Sequence, residues 1–165
     1  MRVVAVIGNP NRGGRTTMVA ERVAARVAAL GDGSIEVIEL VDVASQLFDW
    51  SDRSVAELAA RVATADAAVF ASPTYKAGIT GMLKAFFDRY GTNGLAGLPA
   101  VPVMLGGAPH HALAVESQLR PVLVDLAAVV PTKGVYVVDS EMEILDDQLS
   151  EWWVLAEPPL RRLLT

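Results

Sequence analysis

The chain of 165 residues contains no cysteine, and aromatic residues make up only 6% of it. The lack of cysteine excludes disulfides, thiolate metal sites, cysteine-ligated iron–sulfur clusters and a cysteine nucleophile. Basic residues are also few: 14 Lys and Arg against 19 Asp and Glu give a net charge of −5, whereas nucleic-acid-binding proteins carry a basic surface.

Charged residues interrupt every stretch that is long enough to span a bilayer. The start of the chain lacks the cleavage site of a signal peptide. We therefore expect a cytoplasmic protein that contacts neither nucleic acid nor membrane.

Small aliphatic residues are what the chain has in excess. Hydrophobic residues make up 52% of it, above the roughly 45–50% of typical soluble domains, and the surplus is Ala, Val and Leu. The length fits one domain over residues 1–165. A domain of this size buries roughly 70% of the surface that its unfolded chain exposes, so it needs no disulfide to be stable.

The order of strands and helices predicts the fold class. Apolar runs without polar alternation indicate strands buried on both faces, and apolar residues three or four positions apart indicate helices. The predicted strands span residues 2–8, 34–40, 66–72, 100–106 and 132–138. The predicted helices span residues 16–30, 54–63, 79–87, 111–130 with a kink at Pro121, and 145–165 with an interruption at Pro158 and Pro159. Strands that alternate with helices form a parallel sheet covered on both faces.

Five such strands in this length fit an α/β fold, a flavodoxin-like three-layer sandwich with strand order 2-1-3-4-5. In this order ligands bind at the carboxyl ends of the first and third strands, where the winding reverses. Those ends are Gly8 and Ser72, and the two most distinctive loops of the chain follow them.

The loop after Gly8 has the composition of an anion-binding site. It leads into a helix N-terminus, which offers free backbone N–H groups and a partial positive charge. Arg15 adds a guanidinium fork that suits phosphate. An ordinary turn, in which Gly and Asn supply unusual dihedrals and Arg15 is solvated, is the alternative. The candidate phosphate-binding residues are Asn9, Asn11, Gly14, Arg15, Thr16 and Thr17.

Several known nucleotide and phosphate motifs fail here. A Walker A loop that starts at Gly8 needs a lysine where Gly14 stands. A G-x-G-x-x-G fingerprint needs a glycine in place of Pro10. A response-regulator receiver needs clustered aspartates at the ends of the first and third strands, and none is present. Glu39 ends the second strand, where a ribose ligand would lie, but we interpret it as a surface residue.

Two further loops can hold a flat heterocycle at the same edge of the sheet. Backbone amides after Ser72 can meet the polar edge of a ring, and Pro73 and Tyr75 offer apolar surface. The alternative is a strand end followed by a surface aromatic. The candidate ring-binding residues are Pro73, Thr74, Tyr75 and Lys76 after the third strand, and Gly106, Gly107 and Ala108 after the fourth. Together the three loops describe a mononucleotide site.

These segments resemble the NAD(P)H-dependent FMN reductases of the flavodoxin-like superfamily, and most closely the alkanesulfonate-utilisation flavin reductases. The resemblance covers residues 1 to about 140. The matching segments are Gly8-Asn9-Pro10, Arg15-Thr16-Thr17, residues 72–85, Gly106-Gly107 and residues 113–123. It implies that the first loop binds the FMN phosphate and the other two loops bind the isoalloxazine. The departures are Asn9 and Gly14, which occupy two places in a loop that is usually serine-rich in the family, and Ser117, where some members carry an aromatic at the oligomer interface.

The resemblance implies hydride transfer from NADPH or NADH to FMN, and supply of reduced FMN to a partner monooxygenase. Because the cofactors carry this chemistry, we assign no catalytic residue. A quinone, azo or metal-ion reductase that keeps FMN bound remains an alternative. So does a flavodoxin-type electron carrier, although such carriers are far more acidic.

Two paired motifs and one apolar segment complete the sequence predictions. We interpret His110-His111 as a helix start or an interface, and Asp146-Asp147 as a solvated turn without partners for a metal. Residues 111–130 are apolar on all sides, more than one face of a monomer can bury. They predict a homodimer or homotetramer.

Overall fold

The computed structural model describes residues 1–165 and contains a five-stranded sheet. The strands are β1 (Arg2–Ile7), β2 (Ser34–Glu39), β3 (Ala67–Pro73), β4 (Ala100–Gly106) and β5 (Val135–Val138). Every neighbouring pair is parallel, and the order is β2-β1-β3-β4-β5. The predicted α/β fold with order 2-1-3-4-5 is confirmed.

Helices cover both faces of the sheet. They are α1 (Arg15–Ala28), α2 (Arg53–Ala63), α3 (Gly81–Phe87), α4 (Arg120–Asp125) and α5 (Leu145–Leu164). One hydrophobic core lies between the sheet and α2, α3 and α4, and a second lies between the sheet and α1 and α5. This is the three-layer sandwich. None of these helices has both the length and the apolar character needed to cross a membrane.

The predicted helix over residues 111–130 is the largest departure from expectation. The structure has a 3₁₀ turn at Pro109–His111, a π-helical turn at Val115–Leu119 and then α4. The irregularity predicted at Pro121 lies just before it, in this π turn. Pro121 itself lies in the first turn of α4, where the missing N–H of a proline costs little. The helix ends early because Ala127 adopts a left-handed φ of 63°, and the chain then runs beside β4.

The predicted interruption of the last helix is wrong. α5 continues through Pro158 and Pro159 to Leu164. Each proline leaves one carbonyl, four residues earlier, without its helical donor. Those carbonyls belong to Val154 and Leu155, whose side chains are 71% and 80% exposed, so water can reach this side of the helix.

The fifth strand is shorter than predicted, and this explains how β4 tolerates a proline. The Ala100 N–H donates to the Val129 carbonyl, on the β5 side of the sheet, over 2.8 Å. The nitrogen of Pro102, two residues later, faces the same side. Pairing with β5 begins only at Val103 opposite Val135. The missing donor of Pro102 therefore faces no strand.

A buried hydroxyl joins the ends of β1 and β3. The Thr80 side chain is 4% exposed, and its Oγ1 donates to the Gly8 carbonyl over 2.6 Å. The same oxygen caps α3 by accepting from the Leu83 N–H over 3.1 Å, while the Thr80 N–H donates to Ser72 Oγ over 3.0 Å. A Cβ on Gly8 would lie 2.5 Å from the Leu83 Cβ. Glycine at position 8 is therefore required for α3 to approach β1.

We expect Thr80→Val to lower the free energy of unfolding by about 2–4 kcal/mol, because it removes a helix cap and leaves a buried carbonyl unpaired. Thr80→Ser is the matched control, because it keeps the hydroxyl and loses only a methyl group, a cost of about 1 kcal/mol. Urea unfolding of both variants checks this. A valine variant as stable as the serine variant would contradict the role of the hydroxyl.

Candidate functional site

The loops after β1, β3 and β4 surround a cavity of about 220 Å³ at the carboxyl edge of the sheet. It is lined by Asn9, Asn11, Gly14, Arg15, Thr16, Pro73, Thr74, Tyr75, Leu105, Gly106, Gly107 and Asp139. Of the residues predicted from the sequence, only Thr17, Lys76 and Ala108 are not part of the lining. Asp139 and Leu105 are the two lining residues that the sequence reasoning missed.

Asn9 organises the first loop. It is 6% exposed, and its Oδ1 accepts from the Asn11 N–H over 3.0 Å. Its Nδ2 donates to Thr16 Oγ1 over 3.2 Å, so the Thr16 hydroxyl keeps its own proton for another acceptor. No side chain caps the start of α1 at Gly14. The N–H groups of the first helical turn are therefore available to an anion in the cavity.

Glu39, which does not line the cavity, stabilises this loop by hydrogen bonds. Its Oε1 accepts from the Gly13 N–H over 3.0 Å and from the Thr17 hydroxyl over 2.9 Å. Glu39 is therefore a half-buried residue at the surface that also supports this loop. Because the Thr17 proton is used here, the Thr17 hydroxyl is directed to β2 rather than to the cavity. The position of Glu39 at the carboxyl end of a strand beside β1 is the signal that could have indicated this contact.

The second loop is a strained hairpin. Tyr75 and Gly78 exchange two backbone hydrogen bonds of 3.0 Å. The two residues between them, Lys76 and Ala77, have φ values of 51° and 62°. Such a turn favours Asn and Gly, because a Cβ destabilises the left-handed conformation. The tight turn leaves Lys76 exposed at its tip and places Tyr75, which is 48% exposed, at the rim of the cavity.

The third loop rests on a tyrosine from β5. Tyr136 Oη donates to the Ala108 carbonyl over 2.7 Å. A Cβ on Gly106 would lie 2.2 Å from this oxygen and 3.2 Å from the Thr74 Cβ. Burial raises the pKa of Tyr136, so its hydroxyl remains protonated and able to donate at neutral pH. No sequence pattern pointed to Tyr136, because the contact joins residues that are far apart in the chain.

The charged groups of the site form ion pairs. Arg15 Nη1 lies 3.5 Å from Asp139 Oδ1 across the cavity lining. Arg12, which is outside the lining, contacts Asp42. Asp139 directly follows the carboxyl end of β5, and this position is the signal that sequence reasoning could have used.

The paired motifs noted in the sequence lie outside the cavity. His110 and His111 form a 3₁₀ turn with ring centroids 4.2 Å apart. Asp146 pairs with Arg22 and Arg26 of α1, so it is not merely solvated. No group of three or more His, Asp or Glu side chains is placed to hold a metal ion.

A larger cavity of about 570 Å³ lies along β5 and α5. It contains no residue of the loops that directly follow β1, β3 and β4. The smaller cavity at the winding reversal is therefore the better candidate site, since it combines an anion-binding helix terminus with two ring-sized loop surfaces.

The chain is similar in sequence to proteins named as FMN reductases and in structure to an NADH:FMN oxidoreductase. A family model described as NADPH-dependent FMN reductase matches residues 1–143. The FMN reductase (NADPH) of Pseudomonas aeruginosa is 34% identical over 150 residues, 86% of this chain and 79% of that protein. The NADH-dependent FMN reductase SfnE of Pseudomonas putida is 32% identical over 147 residues, with the same coverage. The apo crystal structure of the NADH:FMN oxidoreductase EMOB has a TM-score of 0.88 at 32% identity, over 99% of this chain and 90% of that one.

Gly106→Ala is expected to destabilise the third loop by about 1–3 kcal/mol, because the new Cβ overpacks against Tyr136. Gly107→Ala is the matched control, since a Cβ there meets no atom within 4 Å. Thermal unfolding of the two variants measures the difference. Equal stability of the two would show that the Gly106–Tyr136 contact does not constrain the loop.

Proposed function

The chain belongs to the NADPH-dependent FMN reductase family, and we propose that it binds FMN in the cavity at the carboxyl edge of the sheet and reduces it as an exchanging substrate. As an NAD(P)H:FMN oxidoreductase, it transfers a hydride from NADPH or NADH to the flavin. The observation that carries the assignment of the site is the uncapped start of α1, which opens into the same cavity as the loops of Tyr75 and Gly107.

The first loop fits a phosphate. Gly14, Arg15 and Thr16 border the cavity, and these residues carry first-turn N–H groups of α1, a guanidinium and a hydroxyl. Backbone donors and the helix dipole supply much of the stabilisation that a phosphate needs. Asn9 and Asn11 shape the loop, while Thr17 and Glu39 support it from behind. Thr17 is therefore reassigned from a ligand contact to a supporting role.

The second and third loops fit the flat ring system. Pro73 and Tyr75 border one side of the cavity, and Gly107, where a Cβ would meet no atom within 4 Å, leaves room for a ring to approach the backbone at the other. Thr74 lines the cavity, and its Oγ1 is buried. Lys76, at the exposed tip of the strained turn, is free to contact the part of a nucleotide that projects from the cavity.

The absence of a catalytic dyad agrees with this chemistry. Bound FMN supplies the hydride acceptor, and the protein has to align the two nucleotides and limit the access of water. No titratable side chain other than Arg15, Tyr75 and Asp139 borders the cavity. We assign catalysis to the two nucleotides and none to a side chain, because the cofactors carry this chemistry.

The size of the cavity supports exchange of the flavin. A volume of about 220 Å³ is below the roughly 300–1,000 Å³ of pockets that enclose a drug-sized ligand. Part of a flavin nucleotide would therefore project from the cavity, which is compatible with release of reduced FMN to a separate monooxygenase. This is the role that we propose, rather than that of a reductase with resident FMN or of an electron carrier.

Steady-state oxidation of NADPH and NADH with free FMN, without any partner protein, tests the proposal. We expect turnover that saturates with added FMN, and protein that loses its yellow colour on gel filtration. Flavin that stays bound through gel filtration and turns over only with a quinone or azo acceptor would favour the resident-cofactor alternative. No turnover with either nicotinamide would contradict the proposal.

Arg15→Ala should weaken binding of FMN more than binding of riboflavin, because only FMN carries the phosphate. A charge-assisted hydrogen bond contributes about 1.5–3 kcal/mol, or about 10–150-fold in affinity. Arg15 is 60% exposed, so we expect the lower end, about 10-fold. Arg12→Ala is the matched control on the same loop, outside the cavity. Fluorescence titration with both flavins measures the ratio, and equal losses for both would exclude a phosphate contact.

We further propose that the chain forms a homodimer or homotetramer through residues 111–130. Within this segment Leu113 is 75% exposed, Val124 56% and Val129 38%, so part of its apolar surface is not covered by the chain itself. Light scattering at micromolar concentration should give two or four times the chain mass of 17.5 kDa. A monomeric mass would contradict this proposal.

A further inference from the structure

Carboxylates accompany every cation of the first loop. Arg15 lies 3.5 Å from Asp139, and Arg12 contacts Asp42. Glu39 holds the backbone between these arginines through the Gly13 N–H. Two guanidinium groups thus face three carboxylates, and the loop that is proposed to receive a phosphate has no net positive charge.

Asp139 differs from the other two carboxylates because it lines the cavity itself. It follows directly after β5, and its side chain is 42% exposed. Arg15 is its ionic partner, at a distance that exceeds a good charge-assisted hydrogen bond. Glu39, in contrast, accepts two hydrogen bonds behind the loop. Asp139 therefore has little structural role in supporting the loop.

This placement opposes phosphate binding in two ways. An anion that contacts Arg15 must share the guanidinium with Asp139. It also approaches the Asp139 carboxylate, which lies 3.5 Å from Arg15, and salt does not fully screen repulsion between charges closer than the Debye length, about 8 Å at physiological ionic strength. Riboflavin has no phosphate and experiences neither effect. The carboxylate therefore acts on FMN selectively.

Resting on the proposed binding of the FMN phosphate at the first loop, we propose that Asp139 is a specificity-determining residue that lowers the affinity for FMN relative to riboflavin. It does so by competing for Arg15 and by repelling the phosphate. The consequence for the reaction is faster release of the phosphorylated flavin, as an enzyme that hands over a diffusible product requires.

The test is Asp139→Asn, which removes the charge and keeps the shape of the side chain. Asp146→Asn is the matched control, because Asp146 also pairs with arginines of α1 but lies outside the cavity.

Fluorescence titrations with FMN and with riboflavin, at low and at high salt, give the ratio of the two affinities for each protein. Exposed ion pairs contribute little, so we expect Asp139→Asn to tighten FMN about two- to five-fold at low salt. Asp139→Asn should leave the affinity for riboflavin unchanged, and Asp146→Asn should leave the ratio of FMN to riboflavin affinity unchanged. The gain in FMN affinity of Asp139→Asn should shrink at high salt.

The outcomes separate this inference from the function on which it rests. If the wild-type protein prefers FMN and Arg15→Ala removes that preference, but Asp139→Asn leaves the ratio unchanged or lowers it, the role of Asp139 is overturned. An equal change for both flavins would also overturn it, because that result indicates a structural effect. If wild-type protein binds neither flavin, the proposed function itself fails.

Discussion

The hydrogen bond from the buried Thr80 hydroxyl to the Gly8 carbonyl is the constraint on which the site depends. It fixes the end of β1 to the start of α3, and the Thr80 N–H ties the same point to Ser72 at the end of β3. A buried carbonyl without this donor would carry a large desolvation cost. The chain therefore leaves β1 and β3 in defined directions, and both loops reach one cavity.

Most of the donors that the proposed site offers to an anion are neutral groups. The start of α1 supplies backbone N–H groups and Thr16 supplies a hydroxyl, whereas the two arginines nearby are already paired with carboxylates. Such a site retains the geometry for a phosphate without a strong electrostatic attraction. This combination fits the proposed exchange of the flavin, and it would let a chain of net charge −5 bind an anionic nucleotide.

The sequence predicted the elements that local composition determines. Buried strands, the strand order and the loops after Gly8 and Ser72 follow from apolar runs and from Gly, Pro and Asn positions, and the structure confirms the fold. The details that were missed depend on contacts between distant parts of the chain. Tyr136 supports the third loop from β5, Asp139 reaches Arg15, and Glu39 holds Gly13. Helix irregularities were also misjudged, because the π turn before Pro121 and the continuity of α5 reflect packing and solvent access rather than propensity.

A crystal structure of the FMN complex is the most direct test of the central claim, that the phosphate binds at the start of α1. The account predicts phosphate oxygens that accept from the first-turn N–H groups of α1 and from the Thr16 hydroxyl, with the ring against Tyr75 and Gly107. A phosphate bound elsewhere, such as in the larger cavity between β5 and α5, would contradict it.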